Sequence, residues 1–370
     1  MTTLPVQPGV RQPRAIVTVA GVQVPAWISW EVTNNTFYQA DTFRVSFAAN
    51  ALPPETDANW FSDQKEAFVE IFVGFPVDPT NYSETDLDSL IYGRVDDVEY
   101  DPVSTILTLT GRDLTAAFID AKTTIQYQNL TSSQIAAQLA ANHGLTVSGP
   151  ATTTLAGTFY KYDHVSMTDD RSEWDILTWL AQQEGYLCYV KGKTLYFEPQ
   201  PPAPADPYEL RWTVDENGHP TANVQDLRLS RSLTVAKGVT VVVRSWNAGQ
   251  AKGFTAYYPS KGKSTQPGKA SPFGDQQIYL VKKGGLDQDR VNKLAQQIHR
   301  EITQHEMKLR ARLPADNVLT QTAMVRLTGT GTKFDQDYFV DGITRAMSLD
   351  EGYVMDVSAK NHNPETVPSL

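Results

Sequence analysis

Apolar residues recur at every second position in short runs over the first third of the chain. Residues 16–19, 27–32, 43–47, 68–73, 90–100 and 105–110 each predict a strand with one face toward a core. Leu52-Pro53-Pro54 and the prolines from Pro76 to Pro79 separate them. Past Thr110 the spacing changes to that of helices. Thr131-Ser132-Ser133 offers N-cap hydroxyls, Ile135, Ala136, Leu139 and Ala140 form an apolar stripe, and Gly144 stops the helix. Asp170 or Ser172 opens a second helix, whose buried stripe is Trp174, Leu177, Leu180 and Ala181, and Gly185 ends it. Residues 186–190 and 194–197 then alternate about a tight turn at Lys191-Gly192-Lys193, a hairpin.

Pro199, Pro201, Pro202, Pro204 and Pro207 predict a stiff linker. Strand character resumes over 227–233 and 239–243, and a loop rich in Gly, Ser and Lys is expected over 249–274. The longest helical pattern spans 287–313, with Val291, Leu294, Ile298, Ile302 and Leu309 on one face. At about 1.5 Å per residue it would be roughly 40 Å long. Pro314 marks its end, strands return over 322–327, 338–349 and 352–359, and residues 363–370 are expected to be disordered. A faint internal repeat crosses this plan. Phe68-Val69-Glu70-Ile71-Phe72-Val73-Gly74 echoes Met324-Val325-Arg326-Leu327-Thr328-Gly329. Gly93-Arg94-Val95-Asp96-Asp97-Val98 followed by Ile106-Leu107-Thr108-Leu109-Thr110 echoes Asp341-Gly342-Ile343-Thr344-Arg345-Ala346 followed by Val354-Met355-Asp356-Val357-Ser358.

Composition changes this picture little, and charge changes it more. The 370 residues suffice for two or three domains, and 41% hydrophobic with 20% charged content is ordinary for a globular protein. The start of the chain resembles no secretion signal, and no apolar run approaches the about 18 residues of a membrane span, so synthesis in a host cytoplasm without a membrane anchor is expected. The single cysteine, Cys188, lies in the hairpin and is expected to pack as a small hydrophobe. Net charge is −10, unevenly spread. Residues 251–312 hold twelve Lys or Arg against five Asp or Glu, a local +7, which leaves 20 basic and 37 acidic residues, or −17, elsewhere. Lys282, Lys283, Arg290 and Lys293 are therefore the candidate surface for docking an acidic partner. A merely solvated helix face is the alternative.

The stretch from residue 85 to 200 resembles the hub proteins of phage tails and baseplates, the Mu-like and late-control-D-like family related to the hub part of type VI secretion spikes. Gly111-Arg112-Asp113 with Ala116 and Ile119-Asp120 carries the resemblance. So do Ser133-Gln134-Ile135-Ala136 running to Gly144-Leu145, and Ser172-Glu173-Trp174-Asp175-Ile176-Leu177 leading to Leu180-Ala181, Gly185 and Leu195-Tyr196-Phe197.

The resemblance implies a β-rich α+β fold: two similar antiparallel, tail-tube-like β-barrel domains with a helix-hairpin domain and a helical insertion. The expected divisions are a first barrel over 1–118, the mixed domain over 119–205, a second barrel over 206–250 and 314–362, the basic insertion over 251–313, and the tail. It further implies a homotrimer with pseudo-sixfold symmetry in the virion, joining a hexameric tail tube or tube-initiator protein to a trimeric spike and touching other baseplate proteins. Tape measure protein and DNA would pass through its channel without specific binding, and no cofactor is implied. A phage-derived bacteriocin or a secretion spike is the alternative setting. Spikes usually carry a further barrel and needle on the same chain, for which no room is expected before Leu370.

Enzyme chemistry is poorly supported, so no catalytic, cofactor or metal residue is assigned. Gly262-Lys263-Ser264 lacks the glycine that a P-loop needs five places earlier, where Tyr257 stands. His299 and His305 are six apart, on different helix faces. Asp169, Asp170, Glu173 and Asp175 are explained as helix N-terminal carboxylates. A glycan-binding or peptidoglycan-degrading β-protein remains the reading from another class, with Trp174, Trp246 and that acidic cluster as its candidates.

Overall fold

The computed structural model describes residues 12–36, 38–125, 127, 129–153, 155–156, 171–199, 206–236, 239–247, 249–259, 277–303 and 305–361. The chain divides into two compact units. One comprises Met1–Asp206, Arg312–Ala323 and Asp341–Val357; the other comprises Pro207–Ala311, Met324–Val340 and Ser358–Leu370. Most of the expected proline linker and the whole expected tail lie outside the described residues. The fold is β-rich with interspersed helices.

The first unit begins with β1 (Arg14–Val19), β2 (Val22–Gln23), β3 (Trp27–Asn35), β4 (Thr42–Ala48), α1 (Ala58–Asp63), β5 (Phe68–Gly74), β6 (Asp88–Asp101) and β7 (Ile106–Asp113). Its strands lie in the order β3-β4-β7-β6-β5-β1-β2, every pair antiparallel. Alternation decides which face is buried: β4 buries Phe43, Val45 and Phe47 and exposes Thr42 and Arg44. Asp57 caps α1 through the Trp60 N–H at 2.8 Å, which brings Phe61 within 5.7 Å of the Phe47 ring.

Next come α2 (Thr115–Asp120), β8 (Lys122–Thr123), α3 (Ser132–Asn142), β9 (Thr146–Ser148), β10 (Arg171–Ser172), α4 (Glu173–Glu184), β11 (Tyr186–Lys191) and β12 (Thr194–Pro199). The expected helices and hairpin are present. Thr131 and Ser172 each close a capping box, with Gln134 and Asp175 as the reciprocal partners. Gly185 ends α4 at φ +72°, where a side chain would be strained. Phe118, Ile135, Leu139, Leu177, Leu180, Leu195 and Phe197 close over Cys188, which is fully buried, as expected. Burial pushes its thiol well above the ordinary range, so it is inert at neutral pH.

The second unit contains β13 (Tyr208–Val214), β14 (Pro220–Ala222), β15 (Asp226–Arg231), α5 (Leu233–Ala236), β16 (Val239–Asn247), β17 (Lys252–Tyr258), β18 (Gln277–Lys282) and α6 (Gln288–Thr303). Strands β19 (Met307–Pro314), β21 (Asp337–Ser348) and β22 (Gly352–Asn361) have residues in both units, with β20 (Met324–Thr328) between them in the second. β13 pairs antiparallel with β14 and parallel with β20. β16 lies between β17, antiparallel, and β18, parallel. Val291 and Ala295 of α6 pack on Val239, Val241, Val243, Phe254 and Ala256, covering one face of this sheet.

Two expectations fail in the second unit. The helix predicted over 287–313 stops at Thr303, and β19 follows. Met307, Leu309, Ala311 and Leu313 are buried while Lys308 and Arg310 are exposed, a period of two that overlapped the tail of the helical pattern. The loop predicted over 249–274 contains β17, because Phe254 and Ala256 face α6 between polar neighbours and the glycine and lysine content concealed that alternation.

The internal repeat appears in the pairing. β5, β6 and β7 pair in succession, as do β20, β21 and β22. No closed barrel forms among the described residues. The first unit's strand path ends at two-residue β2, and the sheet of β16 ends at β17 and β18.

Gly93 and Gly111 face the same ring. A Cβ on Gly111 would run into the Arg94 carbonyl oxygen and lie 2.6 Å from Phe43 Cζ, and one on Gly93 would lie 2.8 Å from Phe43 Cε1. Gly111→Ala is therefore expected to destabilise the protein by about 1–3 kcal/mol through overpacking, measured by denaturant unfolding. A change within 0.5 kcal/mol, about what a surface substitution gives, would show that the ring is not confined.

Candidate functional site

Gly111-Arg112-Asp113, the motif that carried the resemblance, is a corner at the end of β7. Gly111 makes room for Phe43. Arg112 turns outward and donates to both oxygens of Asp96 at 2.6 and 2.9 Å, and to Asp120 on α2 at 3.3 Å. Arg94 pairs with Asp120 as well. Hydrogen bonding to Asp96, and then to Asp120, raises the Arg112 guanidinium further above its ordinary value. Against the opposing pull of burial, Arg94 and Arg112 hold Asp120 below its ordinary value. Asp113 points the other way, is buried, and accepts the Thr115 N–H and hydroxyl at 3.1 Å each, so it starts α2.

Asp113 also faces a cavity of about 380 Å³ in the first unit, lined by Asn34, Asp41, Lys191, Gln321 and Arg345 among others. Arg345, on β21, is buried. Its Nε donates to the Asp316 carbonyl at 2.9 Å, its Nη2 to the Leu319 carbonyl at 2.5 Å, and its Nη1 to Asn34 Oδ1 at 3.4 Å. Asn34 Nδ2 donates to Asp41 at 2.8 Å, the Asn35 N–H donates to the other Asp41 oxygen at 2.8 Å, and Gln321 Nε2 reaches both at 3.2 Å. Three remote stretches, 34–41, 316–321 and 345, are thereby tied together. Burial raises Asp41 to about 6 despite the hydrogen bonds that favour its charge. Burial, and next the charge of Asp41, raise Asp113 well above the carboxylate range. Both carboxylates accept backbone N–H groups, which is turn-building chemistry.

Asp113 was named from the sequence only within the Gly111-Arg112-Asp113 motif, and none of Asp41, Asn34, Gln321 or Arg345 was assigned to a site. The available signal was Arg345, whose place in β21 has the phase of buried Ile343. A cation at a core-facing position needs oxygen partners.

The four basic residues fall in one sequential stretch of the second unit. Lys282 ends β18 and is exposed, and the Lys283 N–H extends the pairing to the Arg244 carbonyl at 3.0 Å. Arg290 and Lys293 lie on the first turns of α6, with Arg290 3.7 Å from Asp287. The glycan candidates separate differently. Trp174 is buried and its indole N–H donates to the Tyr38 carbonyl at 3.0 Å, so its ring is a core anchor. Glu173 is buried with an oxygen 2.5 Å from His143 Nε2, and Asp175 completes the cap of α4. Asp169, Asp170 and the Gly262-Lys263-Ser264 stretch lie outside the described residues. Trp246 is exposed on β16, and His299 packs edge-on against Tyr258 at 4.9 Å. Among the described residues no three His, Cys, Asp or Glu side chains are grouped to hold a metal, and no helix is long and apolar enough to cross a membrane.

No protein-family model matches the sequence, and no curated protein matches it. Solved structures do match. The tail protein from Neisseria meningitidis MC58 superposes with a TM-score of 0.69 at 15% identity, covering 95% of this chain and 97% of that one. The 43 kDa tail protein of prophage MuSo2 from Shewanella oneidensis gives 0.64 at 14% identity, covering 95% and 98%. This chain has the phage tail-protein fold. Prophage tail protein gp18 from Listeria monocytogenes EGD-e agrees, at 0.59 and 9% identity, covering 95% of each chain. At such identities the likeness concerns the fold, and it extends beyond the 85–200 stretch to nearly the whole chain. Within the tail-protein fold, the corner and the buried network hold the first unit, and the basic stretch belongs to the second.

The raised Asp41 makes stability pH-dependent. Its folded value of about 6 exceeds the unfolded 3.8, so the protonated form stabilises fully below about pH 4 and its contribution is lost as pH rises through about 6. Denaturant unfolding followed from pH 5 to 7.5 is expected to show stability falling with pH, and Asp41→Asn is expected to reduce that slope. An unchanged slope in the variant would assign the titration elsewhere. Arg345→Lys is expected to cost about 1–3 kcal/mol, because an ammonium cannot reproduce the guanidinium fork that spans two carbonyls and an amide.

Proposed function

We propose that the protein is a structural hub of a phage baseplate or tail tip, a homotrimer that joins the tail tube to the spike and surrounds the path of the DNA. The observation that carries this reading is the likeness to three phage tail proteins over 95% of the chain. The repeat of β5-β6-β7 in β20-β21-β22 supports two related halves per subunit, so that three subunits would present six similar elements to a hexameric tube and three to a trimeric spike. In this reading each half contributes to a tube-like barrel completed in the ring, which would cover strand ends left open in the single chain. The protein acts through its surfaces and not as an enzyme. It is made in the host cytoplasm and resides in the virion, beside the tube or its initiator, the spike and other baseplate proteins. Lys282, Lys283, Arg290 and Lys293 dock a neighbouring baseplate protein.

The charge distribution supports passage of DNA without retention. Outside residues 251–312 the balance is −17, which repels a phosphate backbone, and tight duplex binding would require many cationic contacts. Purified protein is expected to have a mass of about 123 kDa, three copies of 41.0 kDa, alone or with its tube or spike partner. A single-copy mass under all these conditions would overturn the trimer. Titration with duplex DNA is expected to show binding only at low salt. Micromolar binding that persists at moderate salt would favour a nucleic-acid-binding role over a conduit.

A further inference from the structure

Two hairpins of the first unit carry apolar tips at the same end of the sheet. Ser348, Ser29, Ser46, Thr108 and Glu99 stand in one row across β21, β3, β4, β7 and β6. The connections β6–β7 and β21–β22 both lie just beyond this row. The two hairpins also occupy corresponding places in the repeat of β5-β6-β7 and β20-β21-β22. Their centres are four strand spacings apart, roughly 19 Å along the sheet.

Each tip holds an aliphatic side chain out to solvent on a fixed turn. Val103 is 92% exposed and Leu349 81%. In the first turn Asp101 accepts the Val103 N–H at 2.9 Å, the Ser104 N–H at 3.3 Å and the Ser104 hydroxyl at 2.6 Å. Thr105 there takes the left-handed backbone at φ +55°, which disfavours a β-branched residue. In the second turn Ser348 Oγ accepts the Glu351 N–H at 3.1 Å, Arg312 Nη2 donates to Glu351 at 2.8 Å, and Gly352 is left-handed at φ +71°. Both hairpins are acidic as well. Residues 95–111 hold four Asp or Glu, residues 346–357 hold three, and neither stretch holds a Lys or Arg.

A single exposed aliphatic is ordinary on a protein surface. Here the same combination of exposed aliphatic, fixed turn and acidic flank occurs in both halves of a repeat, at one end of the sheet. Like charge keeps the tips from serving as each other's partner, within one copy or between two. A partner that takes both must offer the same socket twice at an interval of roughly 19 Å. A ring of identical subunits does so. We propose that Val103 and Leu349 are equivalent docking points for such a ring, each entering an apolar socket with a cationic rim, and that the ring is the tail tube or its initiator. Turns already fixed in the free protein lower the ordering cost of the contact. The naming of the ring rests on the hub reading above; the equivalence of the two tips does not.

The test mixes the purified protein with the tube or tube-initiator protein of the same tail and measures binding. Val103→Ser and Leu349→Ser are each expected to weaken binding at least fivefold, to similar extents, and the double variant at least twentyfold, with the mass of the unbound protein unchanged. Asp350→Lys is expected to weaken it in the same direction. Val77→Ser is the control. Val77 is fully exposed too, but lies between β5 and β6, at the opposite end of β6, so its variant is expected to bind as the parent does. Val103→Cys and Leu349→Cys, each labelled with a thiol-reactive photocross-linker, are expected to capture the tube protein, because the native Cys188 is buried and escapes labelling. A three-copy protein that binds no tube protein, or binds it as well with both tips changed, would overturn the tip docking and leave the trimer standing. A loss confined to one tip would overturn the equivalence, and an equal loss in Val77→Ser would overturn the assignment to this end of the sheet. A single-copy mass with no binding would overturn both the docking and the hub.

Discussion

A guanidinium taken out of water must meet oxygen on several sides, and Arg345 does so by collecting the carbonyls of Asp316 and Leu319 and the amide oxygen of Asn34. These acceptors come from chain segments about three hundred residues apart. Asn34 then passes the connection to Asp41, and Asp41 to Gln321. The first unit is discontinuous in sequence, so its late segments need a directional tie to its early strands. Apolar packing is not directional; a planar fork with fixed donor angles is. The network thus determines where residues 316–321 lie against β3 and β4.

The same unit shows how charge is sorted by burial. Arg112 and Asp113 are neighbours in sequence and point to opposite sides of β7. One pairs with exposed carboxylates that favour its charge; the other is drawn into a polar pocket where its charge is disfavoured. The corner between β7 and α2 is held on one side by ion pairs and on the other by the turn that Asp113 makes with Thr115. A short motif with three different residues therefore has three different structural duties.

The parts visible in the sequence were those governed by local periodicity. Phe43, Val45 and Phe47 predicted β4, and Ser172 with Gly185 predicted both ends of α4, because caps and alternation act within a few residues. The helix past Thr303 was overextended because Ile302 and Leu309, seven apart, fit a helical face even though Leu309 belongs to a strand. β17 was hidden by glycines and lysines in a stretch whose apolar positions are few. The Asp41, Asn34 and Arg345 network was invisible for a different reason: each residue is unremarkable locally, and only the fold brings positions 34 and 345 together. The basic stretch was legible as charge, but its division between an edge strand and a helix was not.

The Phe43 ring lies between two strands at Gly93 and Gly111, and neither glycine needs an unusual backbone angle. Space alone holds them there. Each glycine is confined twice, by the ring and by the facing strand. A descendant that replaced Phe43 with valine would remove only one of these obstacles, because a Cβ at Gly111 would still run into the Arg94 carbonyl oxygen and one at Gly93 would still lie 2.6 Å from the Arg112 carbonyl oxygen. Among distant homologues, glycine at these two positions should therefore outlast the aromatic ring at position 43.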